Sequence, residues 1–380
     1  MDNCDVLIVG GGPAGSSCAW ALRRSGLEVT VLDKQLFPRD KVCGGWITPA
    51  VLSELEIDAA EYGRHRVLQP ITGFRTGRIS GAAVETGYGQ VVSYGIRRRE
   101  FDHYLLQRCG ARLMQGVELT KLERLGGNWI ANGEIRARVV VGAGGHFCPV
   151  ARFAGNKAGP ENVVVAQEAE FEMDAMQAAA CRVEPDVPEL YFCADMRGYG
   201  WCFRKQNFLN VGLGRMDPHR LSRHVAGFVS FLKSAGRVSF ELPAPMCGHA
   251  YLLYGRSLRK LAGGGLLLIG DSAGLAYSQS GEGILPAVES GLLAARTILE
   301  ASGNFSEEQL SRYSERLRER LGVPSHWATE LGSRLPAQMI RGFSSALFRS
   351  RWFTRRVLLD RWFLHAGAAA LRGHPQVTRV

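Results

Sequence analysis

Three glycines near the N-terminus have the spacing of a pyrophosphate-binding turn. Gly10, Gly12 and Gly15 fit the pattern G-x-G-x-x-G directly after the apolar run Asp5–Val9, and a helix-forming segment follows. In such a unit the first glycine allows a tight turn, the second lets the pyrophosphate approach the backbone, and the third lets the helix pack on the strand. Asp33 stands 18 residues after Gly15, at the end of a second apolar run. A carboxylate there can accept hydrogen bonds from ribose hydroxyls, so the pattern predicts a dinucleotide site.

A second glycine-rich segment favours FAD over NAD, which the first pattern cannot distinguish. The run Leu266–Gly274, LLLIGDSAG, places Asp271 at the end of a predicted late strand, and Gly283 opens a predicted helix. An acid at this place can hold the ribityl hydroxyls of a flavin. The N-terminus of a helix beside it can stabilise the negative charge that a reduced flavin gathers near N1 and C2=O.

A cysteine stands directly before two glycines in the stretch RDKVCGGW. Gly44 and Gly45 would let the backbone pass close to a flavin ring, because neither carries a Cβ. Arg39, at the start of the stretch, would meet the pyrophosphate or the ribityl edge. The thiol of Cys43 has two interpretations. It is either a small residue that fills a crowded turn or a group that relays a proton or tunes the flavin ring.

Several of these motifs together resemble known flavoproteins. With Arg98-x-x-Phe101-Asp102 and the GAGG run at Gly142–Gly145, the set looks like the FAD-binding motifs of the glutathione-reductase-type flavoproteins, which include the aromatic hydroxylases. Within that superfamily, three further stretches resemble the geranylgeranyl reductase family: Phe37–Gly45 (FPRDKVCGG), Gly198–Lys205 (GYGWCFRK) and Ser280–Ile284 (SGEGI). The resemblance covers roughly residues 1–300.

The resemblance implies a set of site residues. It implies FAD contacts from Gly10, Gly12, Ala14, Gly15, Asp33, Arg39, Cys43, Gly44, Arg98, Leu119, Asp271, Gly283 and Ile284. The family's aromatic motif lines a substrate tunnel, which implies substrate contacts from Tyr199, Trp201 and Phe203. These three alternate on one face of a strand, where they could also be an ordinary sheet core. Cys43, Tyr199 and Trp201 are the expected catalytic residues.

Three short motifs differ from the family pattern. GADG becomes Gly142–Gly145, with glycine in place of the acid. FPK becomes Phe203–Lys205, where an arginine replaces a proline, so we expect a differently shaped tunnel wall. N-P-x-T becomes Tyr277–Ser280, which predicts a more polar mouth.

The elements that must position these residues form an interrupted α/β pattern. Short apolar runs and helices of parallel α/β type occur in residues 1–45, 97–150 and 262–300. Residues 163–216 instead alternate between apolar and polar side chains, as antiparallel strands do. We therefore predict an α/β fold: a Rossmann-like, GR2-type FAD-binding domain with an inserted antiparallel β-sheet substrate domain and C-terminal helices. The predicted FAD-binding domain comprises 1–60, 97–150 and 262–305, the β-rich domain 61–96 and 151–261, and the helical region 306–380.

Composition limits the class of protein. The chain has 380 residues, 46% of them hydrophobic and 22% charged, as is typical of soluble globular proteins. No apolar run approaches the roughly 18 uncharged residues of a spanning helix. The N-terminus enters a strand without a basic leader segment, so we expect a cytoplasmic location. Nine cysteines without a C-x-x-C pair argue against a disulfide framework and a zinc site, and no metal is expected.

Most of the net charge of +10 lies in the last part of the chain. From Arg334 onward there are nine arginines and one acid, Asp360, and the arginines are interleaved with Trp, Phe and Leu. This composition is typical of a basic amphipathic helix on an anionic membrane. The alternative is a helical cap whose apolar stripe packs on the protein and whose arginines are solvated, which is the commoner fate of such a stripe. Nucleic-acid binding is not expected, because no recognition fold accompanies the charge.

Three functions are compatible with these motifs. The leading hypothesis is an FAD-dependent prenyl or geranylgeranyl reductase that passes a hydride to a carbon–carbon double bond of an apolar substrate, with NADPH or a ferredoxin as electron donor. The second is a flavin-dependent monooxygenase, halogenase or dehydrogenase that acts on a small molecule. The third is a non-catalytic flavin-binding protein that docks on a membrane.

Overall fold

The computed structural model describes residues 1–155, 163–243, 245–256, 259–322 and 347–371. The strands are β1 (Asp2–Val9), β2 (Val29–Asp33), β3 (Trp46–Ile47), β4 (Leu68–Ile71), β5 (Gly73–Arg78), β6 (Ala83–Gly87), β7 (Ser93–Ile96), β8 (Arg112–Gln115), β9 (Leu122–Leu125), β10 (Asn128–Ala131), β11 (Ile135–Gly142), β12 (Val163–Glu172), β13 (Glu189–Phe192), β14 (Gly198–Lys205), β15 (Phe208–Arg215), β16 (Cys247–Leu252), β17 (Ala262–Gly263) and β18 (Leu266–Leu268).

The helices lie between and after these strands. They are α1 (Pro13–Leu22), α2 (Pro49–Glu54), α3 (Ala59–Gly63), α4 (Arg98–Gln107), α5 (Pro149–Phe153), α6 (Ala175–Ala180), α7 (Leu221–Ser234), α8 (Ile284–Glu300), α9 (Glu307–Leu321) and α10 (Arg351–Phe353). Helix α10 continues directly into a π-helix, Thr354–Phe363. Among the described residues, no helix is long and apolar enough to cross a membrane.

The first sheet carries the predicted nucleotide-binding unit. Its strand order is β17-β18-β11-β1-β2-β8, and β11, β1, β2, β8 and β18 pair in parallel. The last four residues of β1 and of β11 are all buried, as is usual for parallel strands covered on both faces. The parallel sheet, together with the antiparallel sheets described below, confirms the predicted fold class. Seven of the nine cysteines are buried, as the sequence suggested.

Helices α1 and α8 pack against each other on this sheet at very short range. Gly291 of α8 lies so close to α1 that a Cβ on it would meet the Ala14 carbonyl oxygen at 2.4 Å. Helix α8 is buried over 14 of its 17 residues, since it lies between α1, α2 and α9. The contact fixes the N-terminal end of α1 against the middle of α8.

The second sheet has seven strands in the order β16-β12-β15-β14-β13-β5-β6. All neighbours are antiparallel except β13 and β5. One face packs against α7, where Phe228 lies so close to Gly200 that a Cβ there would overlap its ring. Tyr199, Trp201 and Phe203 point to the opposite face, as their spacing predicts. A third sheet, β3-β7-β4, lies within residues 46–96.

The segment 347–371 covers that opposite face. Phe348, Leu358, Leu359 and Phe363 are buried against aromatic and aliphatic side chains of the second sheet. Its arginines at 349, 351, 355, 356 and 361 are exposed. The apolar stripe therefore packs on the protein, as the helical-cap interpretation expects. The predicted tail also included Arg334, Arg341, Arg372 and Arg379, which lie outside the described residues.

The strand predicted over residues 266–271 is shorter than expected. β18 ends at Leu268, and Gly270, with a φ of +60°, begins a 3₁₀ turn over Gly270–Ser272. Asp271 thus lies in a turn after the strand, because the left-handed glycine ends the extended backbone. The residue limits of the three predicted regions stay a prediction.

The α1–α8 contact gives a test of this packing. We expect Gly291→Ala to lower the free energy of unfolding by about 1–3 kcal/mol, because the added methyl group overlaps the Ala14 carbonyl. The matched control is Gly227→Ala in α7, where a Cβ meets nothing within 4 Å. That variant should gain up to about 1 kcal/mol from its higher helix propensity. Urea unfolding measures both, and equal effects would contradict the steric explanation.

Candidate active site

A cleft of about 570 Å³ runs from the glycine turn after β1 to the aromatic face of the second sheet. The predicted cofactor and substrate residues meet there. The lining includes Gly10, Gly12, Ala14, Asp33, Arg39, Cys43, Gly44, Arg98, Leu119, Tyr199, Trp201, Phe203, Asp271, Gly283 and Ile284. Gly15 is the one predicted residue outside the lining. Its role is packing, because a Cβ on it would meet the Gly10 carbonyl oxygen at 1.9 Å.

The glycine turn leaves the start of α1 open to an anion. Gly10 has a φ of +117° and lies so close to Ala143 that a Cβ would meet its carbonyl oxygen at 2.3 Å. Gly12 is the N-cap of α1, and no side chain caps the first backbone N–H groups. Arg39 lines the same end of the cleft, and its Nη1 atom is buried without a hydrogen-bond partner. Free helix amides and an unpaired guanidinium nitrogen suit a pyrophosphate.

Asp33 is held in place by the backbone of the turn that it faces. Its Oδ2 accepts a hydrogen bond from the Gly11 N–H at 2.7 Å, and its Oδ1 accepts one from the Gln35 N–H at 2.8 Å. The carboxylate thus closes the glycine turn and lines the cleft. Leu119, which is buried, lines the same end. These positions suit the ribose and adenine half of a dinucleotide.

A buried ion triad supports the middle of the cleft. Arg98 donates two hydrogen bonds of 2.7 Å to the Asp102 carboxylate, and Arg39 Nη2 lies 3.2 Å from Asp102 Oδ2. Burial opposes the charge of Arg98, but Asp102 and the Cys43 side chain more than offset this and raise the pKa of Arg98. Asp102 fixes both arginines, so it is a supporting residue that the motif R-x-x-F-D already contained.

Lys41 and His249 join Asp271 in a cluster that sequence reasoning missed. Lys41 Nζ lies 3.1 Å and 3.2 Å from the two ring nitrogens of His249, whose Nε2 is 3.7 Å from Asp271 Oδ2. Burial would raise the pKa of Asp271, but His249 and Lys41 lower it below its usual value. Burial lowers the pKa of His249 and of Lys41. His249 lies on β16, more than 200 residues from Lys41, so no local signal indicated the contact.

The Cys43 loop is bonded to the second sheet. The Cys43 N–H donates to Glu168 Oε1 at 2.6 Å, and its carbonyl accepts from Asn210 Nδ2 at 3.1 Å. Asn210 Oδ1 in turn accepts the indole N–H of Trp201 at 2.6 Å. Burial raises the pKa of Glu168 to about 7, although the Cys43 N–H partly opposes this shift. Glu168 lies on β12 and Asn210 on β15, and both are buried polar residues. The alternation of apolar and polar residues predicts these strands but does not indicate that the two side chains belong to the site.

A buried lysine fixes the next residue of the loop. Gly45 has a φ of +64°, and a Cβ on it would meet the Ile96 carbonyl oxygen at 2.2 Å and Lys205 Nζ at 2.3 Å. Lys205 is 1% exposed, donates to the Ile96 carbonyl at 2.9 Å and pairs with Glu170 at 2.7 Å. Lys205, which stands where the family's FPK pattern also has a lysine, therefore supplies a structural cation under the loop.

Tyr199, Trp201 and Phe203 form one wall of the cleft. Phe363 of the C-terminal segment faces this wall, with its ring centroid 5.5 Å from that of Tyr199 and 5.8 Å from that of Trp46. The Tyr199 hydroxyl donates to the Ser280 carbonyl, and Trp201 donates to Asn210. Because both polar hydrogens are already engaged, the geometry favours these two residues for shaping the cleft over transferring protons. Their predicted catalytic role stays a prediction.

The start of α8 closes the far end of the cleft. Its N-cap residue is Gly283, which has no side chain to cap the first backbone N–H groups of the helix. Gly283 and Ile284 both line the cleft. Glu282, the residue before the N-cap, also lines the cleft and is 8% exposed. Its Oε1 accepts a hydrogen bond from the Leu285 N–H at 2.8 Å, whereas its Oε2 is buried without a partner.

The residues of the cleft fit an FAD. The uncapped start of α1 and the unpaired Arg39 Nη1 suit the pyrophosphate, Asp33 suits a ribose, and Asp271 suits ribityl hydroxyls. The start of α8 presents its positive dipole end where the flavin ring would lie beside Cys43 and Gly44. The orphaned guanidinium nitrogen is the clearest sign, because a buried donor without an acceptor is costly unless a ligand supplies one.

Comparisons with known proteins agree with this assignment. The family model for FAD dependent oxidoreductases matches residues 5–99. The digeranylgeranylglycerophospholipid reductase of Methanocaldococcus jannaschii is 28% identical over 349 residues, 84% of this chain and 83% of that protein. The menaquinone reductase of Mycobacterium tuberculosis is 29% identical over 328 residues, 78% of this chain and 77% of that protein.

The fold is shared with a solved structure from Thermoplasma acidophilum. That protein, described as geranylgeranyl bacteriochlorophyll reductase-like, superposes with a TM-score of 0.78 at 23% identity and covers 92% of each chain. A flavin-dependent halogenase superposes less well, with a TM-score of 0.62. These comparisons confirm the resemblance to the geranylgeranyl reductase family and the prediction of an FAD-dependent oxidoreductase.

The Cys43 loop can be tested through Gly45. We expect Gly45→Ala to weaken FAD binding about tenfold or more, which corresponds to about 1.4 kcal/mol, because its methyl group overlaps the Ile96 carbonyl and Lys205. Gly89→Ala is the matched control: Gly89 also has a positive φ, of +69°, but a Cβ there meets nothing within 4 Å. Flavin fluorescence during titration of the apoprotein measures both affinities. Equal affinities for the two variants would show that close contact at the loop is unimportant.

Proposed function

We propose that this protein is an FAD-dependent reductase that saturates a carbon–carbon double bond in the prenyl chain of a lipid. The observation that carries the proposal is the continuity of the cleft. The residues that fit FAD and the aromatic wall of Tyr199, Trp201 and Phe203 line one space, and Cys43 and Gly44 lie where the two parts meet. The names of the M. jannaschii and T. acidophilum relatives support the same class of substrate.

The chain's own residues would bind, orient and shield the alkene. When bound and reduced, the flavin supplies a hydride equivalent to one carbon of the double bond. The aromatic wall and Phe363 present apolar surface to a prenyl chain and exclude water from the reacting bond. Glu168 and Asn210 hold the backbone of Cys43 on both sides, so the thiol keeps one position at the junction.

The electron donor belongs to the proposal as well. We propose NADPH or a ferredoxin, since the chain contains one dinucleotide fingerprint, which the FAD would occupy. A nicotinamide donor would then bind transiently at the shared cleft. Reduction of bound FAD under anaerobic conditions by one donor and not by the other decides between them.

The decisive experiment is anaerobic. Protein loaded with FAD and reduced by dithionite is mixed with a geranylgeranyl lipid, and the product is analysed by mass spectrometry. We expect the mass to increase by two hydrogen atoms for each double bond reduced. Reoxidation by oxygen alone, with every prenyl lipid unchanged, would contradict a reductase. An oxygen-dependent gain of mass in a small-molecule substrate would favour the monooxygenase class, and failure of every donor to reduce the flavin would favour a non-catalytic protein.

We also propose that the outer face of segment 347–371 lies on an anionic lipid surface. The segment carries five arginines and one acid. All five arginines are exposed, and Arg355 also donates to the Gly87 carbonyl. Trp352, between them, is 69% exposed, as an interfacial tryptophan would be. The inner face of the same segment contributes Phe363 to the cleft. A prenyl lipid would then reach the aromatic wall from the surface that the arginines contact.

Vesicle binding tests this docking. The triple variant Arg351→Gln, Arg356→Gln and Arg361→Gln should bind vesicles of phosphatidylcholine and phosphatidylglycerol about 100-fold more weakly, because each arginine near such a surface contributes about 1 kcal/mol. Arg24→Gln, Arg64→Gln and Arg223→Gln form the control, since they remove three exposed arginines from elsewhere. Co-sedimentation measures binding. Equal loss in both variants would indicate a general charge effect and contradict a docking face.

A further inference from the structure

The reaction proposed above needs a proton for the second carbon of the double bond, and the cleft offers few groups that could supply it. Tyr199 is excluded as the direct donor, since its hydroxyl already donates to the Ser280 carbonyl. Asp271 is an ionised carboxylate near neutral pH, because His249 and Lys41 lower its pKa. His249 and Lys41 lie with Asp271 and not at the aromatic wall. Cys43, Tyr251 and Glu282 also line the cleft. Burial raises the pKa of the Tyr251 hydroxyl and makes it a weaker acid, so we consider the carboxyl group of Glu282.

Glu282 has the geometry of a buried acid with one free oxygen. Its Oε1 is fixed by the Leu285 N–H at 2.8 Å, and its own N–H donates to the Ser280 hydroxyl oxygen at 3.2 Å. Its Oε2 accepts no hydrogen bond from the described residues and is shielded from solvent. An ionised carboxylate with such an oxygen would be strongly destabilised, whereas a protonated one can keep its O–H until a substrate accepts the proton.

The surroundings of Glu282 favour its neutral form. Burial raises the pKa of Glu282 to about 8, and the neighbouring carboxylates of Glu289 and Asp271 act in the same direction, whereas the Leu285 N–H opposes them. Tyr199 and Tyr277 also face it, and both are neutral because burial raises the pKa of each hydroxyl. Arg320, the nearest cation on α9, is engaged by Glu289. No described cation is bonded to Glu282 itself.

Glu282 also lies beside the aromatic wall. Tyr199, the end of that wall, is bonded to Ser280, two residues before Glu282, and Gly283 follows at the start of α8. Tyr251 closes the other side, since its hydroxyl lies so near Gly281 that a Cβ there would approach it at 2.4 Å. Glu282 thus lines the cleft next to the end of the aromatic wall that would hold the alkene.

We propose that Glu282 is the acid that protonates the second carbon of the substrate's double bond. This inference rests on the proposed reductase function. One alkene carbon takes up the hydride, whose two electrons come from the external donor through the flavin. The π bond breaks, a C–H bond forms at the other carbon, and the O–H bond of Glu282 breaks, which leaves a carboxylate that regains a proton from solvent.

The first test does not depend on catalysis. Because the folded protein holds the pKa of Glu282 near 8, well above its unfolded value, this group destabilises the wild type increasingly as the pH rises from about 4.5 to 8. We expect the melting temperature of Glu282→Gln, relative to wild type, to increase between about pH 5 and about pH 8.5. Glu315→Gln, on the exposed side of α9, is the control and should show no such increase. A pH-independent difference for Glu282→Gln would overturn the neutral acid.

The second test concerns the reaction. Glu282→Gln, reduced by dithionite, should transfer electrons to the dye dichlorophenolindophenol at the wild-type rate but reduce the alkene about 100-fold more slowly, the usual effect of losing a general acid. The rate of alkene reduction by the wild type should fall above about pH 8, and the pH–rate profile of Glu282→Gln should lack this decrease. Glu282→Asp should recover part of the rate. Unchanged alkene reduction by Glu282→Gln would overturn the inference, whereas a wild type that reduces no alkene would overturn the proposed function and leave the melting test valid.

Discussion

The site depends on a single constraint: the backbone of residues 43–45 must pass between two sheets without leaving a buried polar group unpaired. The second sheet meets this requirement with side chains that accept hydrogen bonds and side chains that donate them. Glu168 accepts the Cys43 N–H, Asn210 donates to the Cys43 carbonyl, and Lys205 lies under Gly45 with Glu170 as its counterion. Since an unsatisfied buried group costs about 1–3 kcal/mol, the four side chains fix where the loop can lie. The relative position of the cofactor residues and the aromatic wall follows from that loop.

The aromatic wall is one consequence. Trp201 shares Asn210 with the loop, so the hydrogen bond that orients the indole also orients the backbone beside the thiol. Phe203 lies within 3.3 Å of the position that a Cβ on Gly44 would take. The positions of the aromatic wall and of the Cys43 loop therefore depend on each other. Each defines the space that is left for the other.

The sequence predicted much of this arrangement and missed a definable part of it. Glycine turns, apolar runs and the alternation around Tyr199 have short-range patterns, so the parallel sheet, the start of α8 and the facing aromatic residues could be predicted. Lys41 with His249, and Glu168 with Cys43, are joined across more than 100 residues, and a single sequence carries no signal for such contacts. Glu282 was visible within SGEG, but only its burial and its unpaired oxygen distinguish it from a capping residue. The strand before Asp271 is shorter than its apolar run predicts, because Gly270 has a left-handed backbone that hydrophobicity does not indicate.

The position of Phe363 has an evolutionary consequence. Phe363 lines the cleft from a short segment late in the chain, whose buried side chains pack in one cluster with aromatic and aliphatic side chains of the second sheet. Changes in the size of residues along this segment can alter the length or branching of the chain that fits, while the residues suited to the cofactor keep their geometry. The shape of this end of the cleft can therefore diversify among descendants through the late segment, whereas the wall residue Trp201, which shares Asn210 with the Cys43 loop, remains tied to the cofactor residues.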